Sequence, residues 1–112
     1  MFSSLFNPAP VTLEFPFNEL TVTLLAPQVS GIYVLTTPSW RSTQLPSMSW
    51  TYVGRPVDLQ ARLLEHLHDS TSLISLCAPT HFGYEIWPEP WMALREVFLQ
   101  YSLNPLCNLR HG

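Results

Sequence analysis

Lysine is absent from this 112-residue chain. Five arginines (41, 55, 62, 95 and 110) carry all the fixed positive charge against eight acids, for a net charge of -3. Non-specific affinity for nucleic-acid duplexes comes from Lys and Arg neutralising phosphates. The balance argues against a broad basic binding surface and for a focused site, where arginines converge or a partner adds charge. Long apolar runs are also lacking. None approaches the roughly 18 residues of a membrane span, and no basic segment followed by an apolar stretch opens the chain. The expected compartment is the cytoplasm. Cysteine is scarce: Cys77 and Cys107 lie far apart without metal-type spacing, so reduced thiols are expected. Cys77-x3-His81, with His66 and His68 upstream, lacks the paired ligands of a zinc cluster. Four glycines beside 11 prolines predict much loop and little long helix.

What is present is a hydrophobic content of 46%, enough for one core and one domain at this length. Residues 1–10 lack periodicity and read as a loose arm. Val11 to Phe15 alternates partly and Leu20 to Leu24 cleanly, with Pro16-Phe17-Asn18-Glu19 as turn chemistry between them. This predicts an N-terminal β-hairpin, whose edge could pair two copies of the chain. Ile32 to Thr36 reads as a strand and Trp50 to Val53 as its antiparallel partner. The Pro/Ser/Thr-rich stretch from Thr37 to Ser49 between them reads as a long loop. Leu59, Leu63, Leu64 and Leu67 form a helical stripe within Val57 to Asp69. Phe82 to Trp87 reads as a third strand, and Glu89-Pro90 opens a second helix that runs to about Ser102.

Several polar residues could carry chemistry. Arg62 and His66 are four residues apart and share a helix face. A guanidinium there can fork onto a phosphate, and the imidazole can orient or deprotonate a nucleophile. Both could equally be solvated neighbours of Glu65 and Asp69. Glu96 lies on a largely apolar helix, with Leu94, Val97, Phe98 and Tyr101 on one face and Met92, Leu99 and Leu103 on another. Its carboxylate needs a partner, either a divalent metal or an arginine such as Arg95 or Arg62. Tyr33 and Tyr52 sit on adjacent strands, where core packing is the ordinary role. A tyrosine base would need its pKa lowered by positive charge, which Arg55 and Arg62 could supply.

Gly31-Ile32-Tyr33 and Tyr52-Val53-Gly54, taken with these residues, resemble the paired triplets of the GIY-YIG nuclease family. Arg55 follows the second triplet, where many members carry lysine. Arg62 falls eight residues after Gly54, and His66 stands where members carry His or Tyr. Arg95-Glu96 through Asn104-Pro105-Leu106-Cys107-Asn108 resembles the family's C-terminal motif. The resemblance covers roughly residues 31–108. It implies a small α/β (α+β) domain at 31–112 with a central three-stranded antiparallel sheet flanked by helices. Residues 1–30 would be an arm and hairpin extension.

The implied activity is metal-dependent endonucleolytic hydrolysis of DNA, leaving a 5′-phosphate and a 3′-hydroxyl. Tyr33 would be the general base or water positioner, supported by Tyr52 and His66. Arg62 would hold the scissile phosphate, Glu96 a single Mg²⁺ or Mn²⁺, and Asn108 would orient neighbouring groups. Arg55 and Arg41 would bind substrate, and Trp40 and Trp50 could stack on unpaired bases of single-stranded or branched DNA. Arginine in place of lysine at 55 keeps the charge but does not readily shuttle a proton. Only four residues follow Asn108, so no appended recognition domain is expected. The acidic balance favours a different class of function: a catalytically silent domain that binds nucleic acid or a protein partner.

Overall fold

The computed structural model describes residues 15–38, 48–69 and 78–103; the side chains of 38, 48–51, 102 and 103 are outside that description. The elements in chain order are β1 (Phe15–Pro16), α1 (Glu19–Leu25), β2 (Ile32–Pro38), β3 (Met48–Gly54), α2 (Leu59–His68), β4 (His81–Glu85) and α3 (Trp91–Leu103). The sheet is antiparallel in the order β1-β4-β2-β3. Among the described residues it has four strands, one more than expected, because the short β1 adds to the edge of β4 through Phe15 opposite Phe82. The fold is a small mixed α/β unit with its sheet flanked by helices.

Alternation along β2 divides the core. Tyr33 and Leu35 point to one face and pack with Val22 and Ala26 from the α1 segment, Leu59 and Leu63 from α2, and Phe82. Ile32 and Val34 point to the other face, where Val53, Met92 and Leu99 meet them. Period-2 strands and period-3.6 helices produce this two-faced arrangement. Helices α1 and α2 cover the first face and α3 the second.

The expected N-terminal hairpin is not formed. Leu20 to Leu24 is helical, although its alternation and β-branched residues favour a strand. Two forces outweigh that propensity. Asn18 caps the helix, its Oδ1 accepting from the Thr21 amide at 2.8 Å. Val22 and Ala26, one helical turn apart, are both buried in the core. A strand edge for pairing two copies is therefore not available from Leu20–Leu24. Phe15, Phe17, Val22 and Ala26 pack in the same core cluster as Tyr33.

The remaining elements fall close to expectation. The β2–β3 pair is antiparallel and longer than predicted at both loop-side ends, with a register shift beside Leu35 and Thr36. Asp58 rather than Val57 sets the start of α2, since its Oδ1 accepts from the Ala61 amide at 2.9 Å. Orphan amides of the first turn are met by the preceding loop, Leu59 N–H donating to Val29 C=O and Gln60 N–H to Pro27 C=O. Gly31 lies where that turn crosses the sheet. A Cβ there would come within 2.6 Å of Leu59 and 2.8 Å of the Glu85 carbonyl oxygen. Among the described residues, no helix is long and apolar enough to cross a membrane.

Candidate active site

Three of the expected residues meet on the α1/α2 face of the sheet. The Tyr33 phenolic oxygen is 2.6 Å from His66 Nε2. Tyr33 and Tyr52 stack with ring centroids 5.7 Å apart, and the His66 ring is 5.6 Å from Tyr33 and 5.9 Å from Tyr52. Adjacent strands supply the two phenols, and α2 lays its imidazole across them. Tyr33 is 1% exposed, whereas Tyr52 and His66 are half-buried. Of this triad, the two outer groups face the solvent and the innermost is sealed.

Electrostatics at Tyr33 run opposite to the sequence expectation. Burial pushes the phenol's pKa well above its ordinary value, the neighbouring Tyr52 adds to the rise, and Arg62 pulls the other way without prevailing. Tyr33 therefore keeps its proton. With a neutral imidazole carrying its proton on Nδ1, the phenol can donate to Nε2, which fixes the ring's tautomer and orientation. Arg62 lies one helical turn before His66, at the exposed rim of the cluster. Its Nε is 3.6 Å from Glu65 Oε1, with both side chains substantially exposed. Such a pair is weakly held, so the guanidinium can turn to a better-matched anion.

Glu96 lies on α3, which covers the opposite sheet face, and its partner is neither Arg95 nor Arg62. Arg55 Nε donates to Glu96 Oε1 at 3.1 Å, and Arg55 Nη1 donates to Glu89 at 3.3 Å. The second oxygen, Oε2, accepts from Gln100 at 3.4 Å, and Gln100 also donates to the Val53 carbonyl. Gly54 joins the two halves. It is the register partner of Tyr33 across the β2–β3 pair, and Arg55 follows it directly. A methyl group on Gly54 would fall within 2.7 Å of the Tyr33 ring and hydroxyl. The glycine thus lets the phenol lie against the backbone just before the chain turns towards Glu96.

Arg95, the immediate neighbour of Glu96, is fully buried. It grips Glu85 with two parallel bonds of 2.8 and 2.9 Å, and Trp87 Nε1 donates to the same carboxylate at 2.7 Å. The Trp87 ring also lies 5.9 Å from the guanidinium carbon. Sequence reasoning missed this network, though a signal was present: Met92, Arg95 and Leu99 share helical spacing. The face formed by Leu94, Val97 and Tyr101 is instead exposed.

For a divalent cation, Glu96 offers a single carboxylate, and both of its oxygens already accept from Arg55 and Gln100. Mg²⁺ and Mn²⁺ are commonly held by one or two carboxylates, with water and phosphate completing the shell. Here a positively charged guanidinium already rests on that carboxylate. No group of three His, Cys, Asp or Glu that could hold a metal ion converges among the described residues. Trp40, Arg41 and Asn108 lie outside the described residues, as does the side chain of Trp50. The same holds for Cys77 and Cys107. Searches of protein-family models, curated proteins and solved structures found no match to this chain.

Proposed function

We propose that the chain is a metal-dependent endonuclease of GIY-YIG type that hydrolyses phosphodiester bonds in DNA. The observation that carries this reading is the Tyr33–Tyr52–His66 cluster, with Arg62 one turn away on the same helix. Tyr33 is too buried and too firmly protonated to meet a substrate directly. Its role is to hold the half-exposed His66, which takes the proton from the attacking water. Tyr52 flanks the imidazole and limits its tilt. Arg62 exchanges its weak contact with Glu65 for the scissile phosphate, where its fork stabilises the charge that develops on the equatorial oxygens.

Glu96 would hold a Mg²⁺ or Mn²⁺, which when bound neutralises the leaving oxygen. Arg55 is the second arginine available to a phosphate, and Asn108, Arg41, Trp40 and Trp50 are proposed to complete the substrate contacts. Single-stranded or branched DNA suits a chain with few cations and several aromatics, because stacking replaces part of the missing charge.

A silent binding domain is favoured by one observation, the engagement of both Glu96 oxygens by Arg55 and Gln100. The deciding experiment incubates end-labelled single-stranded, duplex and branched DNA with the protein in Mg²⁺ or Mn²⁺, beside Glu96→Ala and Arg62→Ala. Cleavage leaving 5′-phosphate ends, lost in both variants, supports the enzyme. Binding without cleavage of any substrate supports the silent domain. Cleavage that persists in the variants overturns the proposed site.

A further inference from the structure

Helix α3 is apolar almost all round, yet it packs on the sheet through one side. Arg95 and Glu96 are the only charged residues in its sequence. Both are satisfied within the chain, Arg95 by Glu85 and Glu96 by Arg55. Met92, Arg95 and Leu99 form the buried side. Facing away from it are Leu94, Val97 and Tyr101, which are 51%, 62% and 84% exposed, flanked by the half-buried Trp91 and Phe98. A surface helix ordinarily sets charged and polar groups against the solvent, and a helix apolar on all sides is ordinarily a buried one. Aromatic side chains without charge are also the composition of an interface centre.

Charge selects the occupant of this face. A nucleic acid needs cations along its path, and the only one on α3 is sealed against Glu85. A strongly charged protein surface would leave its own groups unpaired against Leu94, Val97 and Tyr101. The occupant must offer an uncharged, apolar helix face, and α3 itself is such a face. Trp91, Leu94, Phe98 and Tyr101 follow the i, i+3, i+7, i+10 spacing of a helix-pairing seam. Run antiparallel about a two-fold axis, the seam is self-complementary. Trp91 then opposes Tyr101 of the second copy and Leu94 opposes its Phe98, with no charge set against another.

We propose that α3 is a self-association seam through which two copies of the chain pair, α3 antiparallel to α3. The pairing does not depend on the endonuclease reading. It uses the α3 side of the sheet, so the Tyr33–Tyr52–His66 cluster on the α1/α2 side stays uncovered. Stable interfaces bury about 800 Å² per partner. A single helix stripe supplies less, which makes the dimer reversible, with a dissociation constant on the order of 10 µM or weaker.

Sedimentation velocity of the full chain, from low-micromolar to near-millimolar concentration, tests the seam. Wild type should pass from monomer to dimer over that range. Raised salt should not weaken the dimer, because no ion pair crosses the seam. Leu94→Glu and Val97→Glu should each raise the dissociation constant about ten-fold or more, since the new carboxylate would be buried without a partner. Both should leave thermal unfolding of the dilute monomer unchanged, because both positions face solvent there. Leu24→Glu, at an exposed apolar position of α1 on the other side of the sheet, should leave association unchanged.

A wild type that stays monomeric throughout overturns the seam. If Leu94→Glu then also lowers the melting temperature, the face is covered by another part of the same chain; if it does not, the face belongs to a different protein. Dimers that persist in both Leu94→Glu and Val97→Glu, that Leu24→Glu weakens as strongly, or that salt dissociates, place the contact elsewhere and overturn the seam as well.

Discussion

Arg95 and Glu96 are consecutive residues of one helix, yet their ion pairs are built for different purposes. Arg95 is sealed against Glu85, with both side chains almost wholly excluded from solvent and Trp87 completing the carboxylate's bonds. Glu96 shares a partly exposed arginine with a third residue, through single contacts above 3 Å. A buried pair is costly to break, because either partner left alone is a charge without water. An exposed pair costs little to break and can be exchanged for another ligand. The sealed pair fixes the rotation of α3 against the sheet, and that rotation carries Glu96 to the end of β3. The helix thus joins a rigid anchor to an exchangeable contact at adjacent positions.

The largest expected effect strikes the anchor. Arg95→Ala or Glu85→Ala should lower unfolding free energy by about 3–5 kcal/mol in urea titrations. Glu85→Leu with Arg95→Met should recover most of that loss, since an apolar pair of similar volume removes the uncompensated charge. A double variant no more stable than the singles would show that the packing of Trp87, not the charge, sets the cost.

At the junction of the two site halves, Gly54→Ala should cost about 1–3 kcal/mol, the usual range for overpacking. The added methyl meets the Tyr33 ring and hydroxyl directly. The Gly54→Ala, Tyr33→Leu double variant should recover part of the loss, and failure to do so would place the strain in the backbone.

Tyr33 gives a pH signature. Its folded-state pKa is raised, so its contribution to stability is complete below the ordinary phenol value of about 10. Above that pH the unfolded chain releases the proton while the folded chain retains it, and stability must fall as pH rises. Tyr33→Phe should flatten this alkaline decline in thermal unfolding curves. An unchanged decline would mean that Tyr33 ionises without unfolding, and would return it to the role of base.

The smallest expected effect belongs to the exchangeable pair. Arg55→Gln should change stability by less than about 1 kcal/mol, and raised salt should erase most of that difference. A larger effect would place Arg55 with the anchor and not with the exchangeable pairs.

The sequence made some of this molecule legible and obscured the rest for physical reasons. The β2–β3 pairing and the leucine stripe of α2 follow from short-range periodicity, which is why their positions could be read. Leu20 to Leu24 was misleading because its alternation is a local signal, while the burial of Val22 and Ala26 that makes it helical is tertiary. The meeting of Tyr33, Tyr52 and His66 was expected, but the sealing of Tyr33 was not, because burial depends on how α2 closes over the sheet. Glu96 was rightly read as needing a partner. The partner is Arg55, 41 residues earlier, which no helical spacing can reveal.

Under the proposed function, the groups on either side of Gly54 act on one reaction although they belong to opposite faces of the sheet. A double-mutant cycle on single-turnover cleavage of branched DNA tests it, using His66→Ala, Glu96→Gln and the combination in Mn²⁺. Residues that act as a unit are strongly non-additive, so the double variant should be no slower than the slower single variant within a few-fold. Single effects that multiply in full, or a wild-type protein that leaves the DNA uncut, would contradict it.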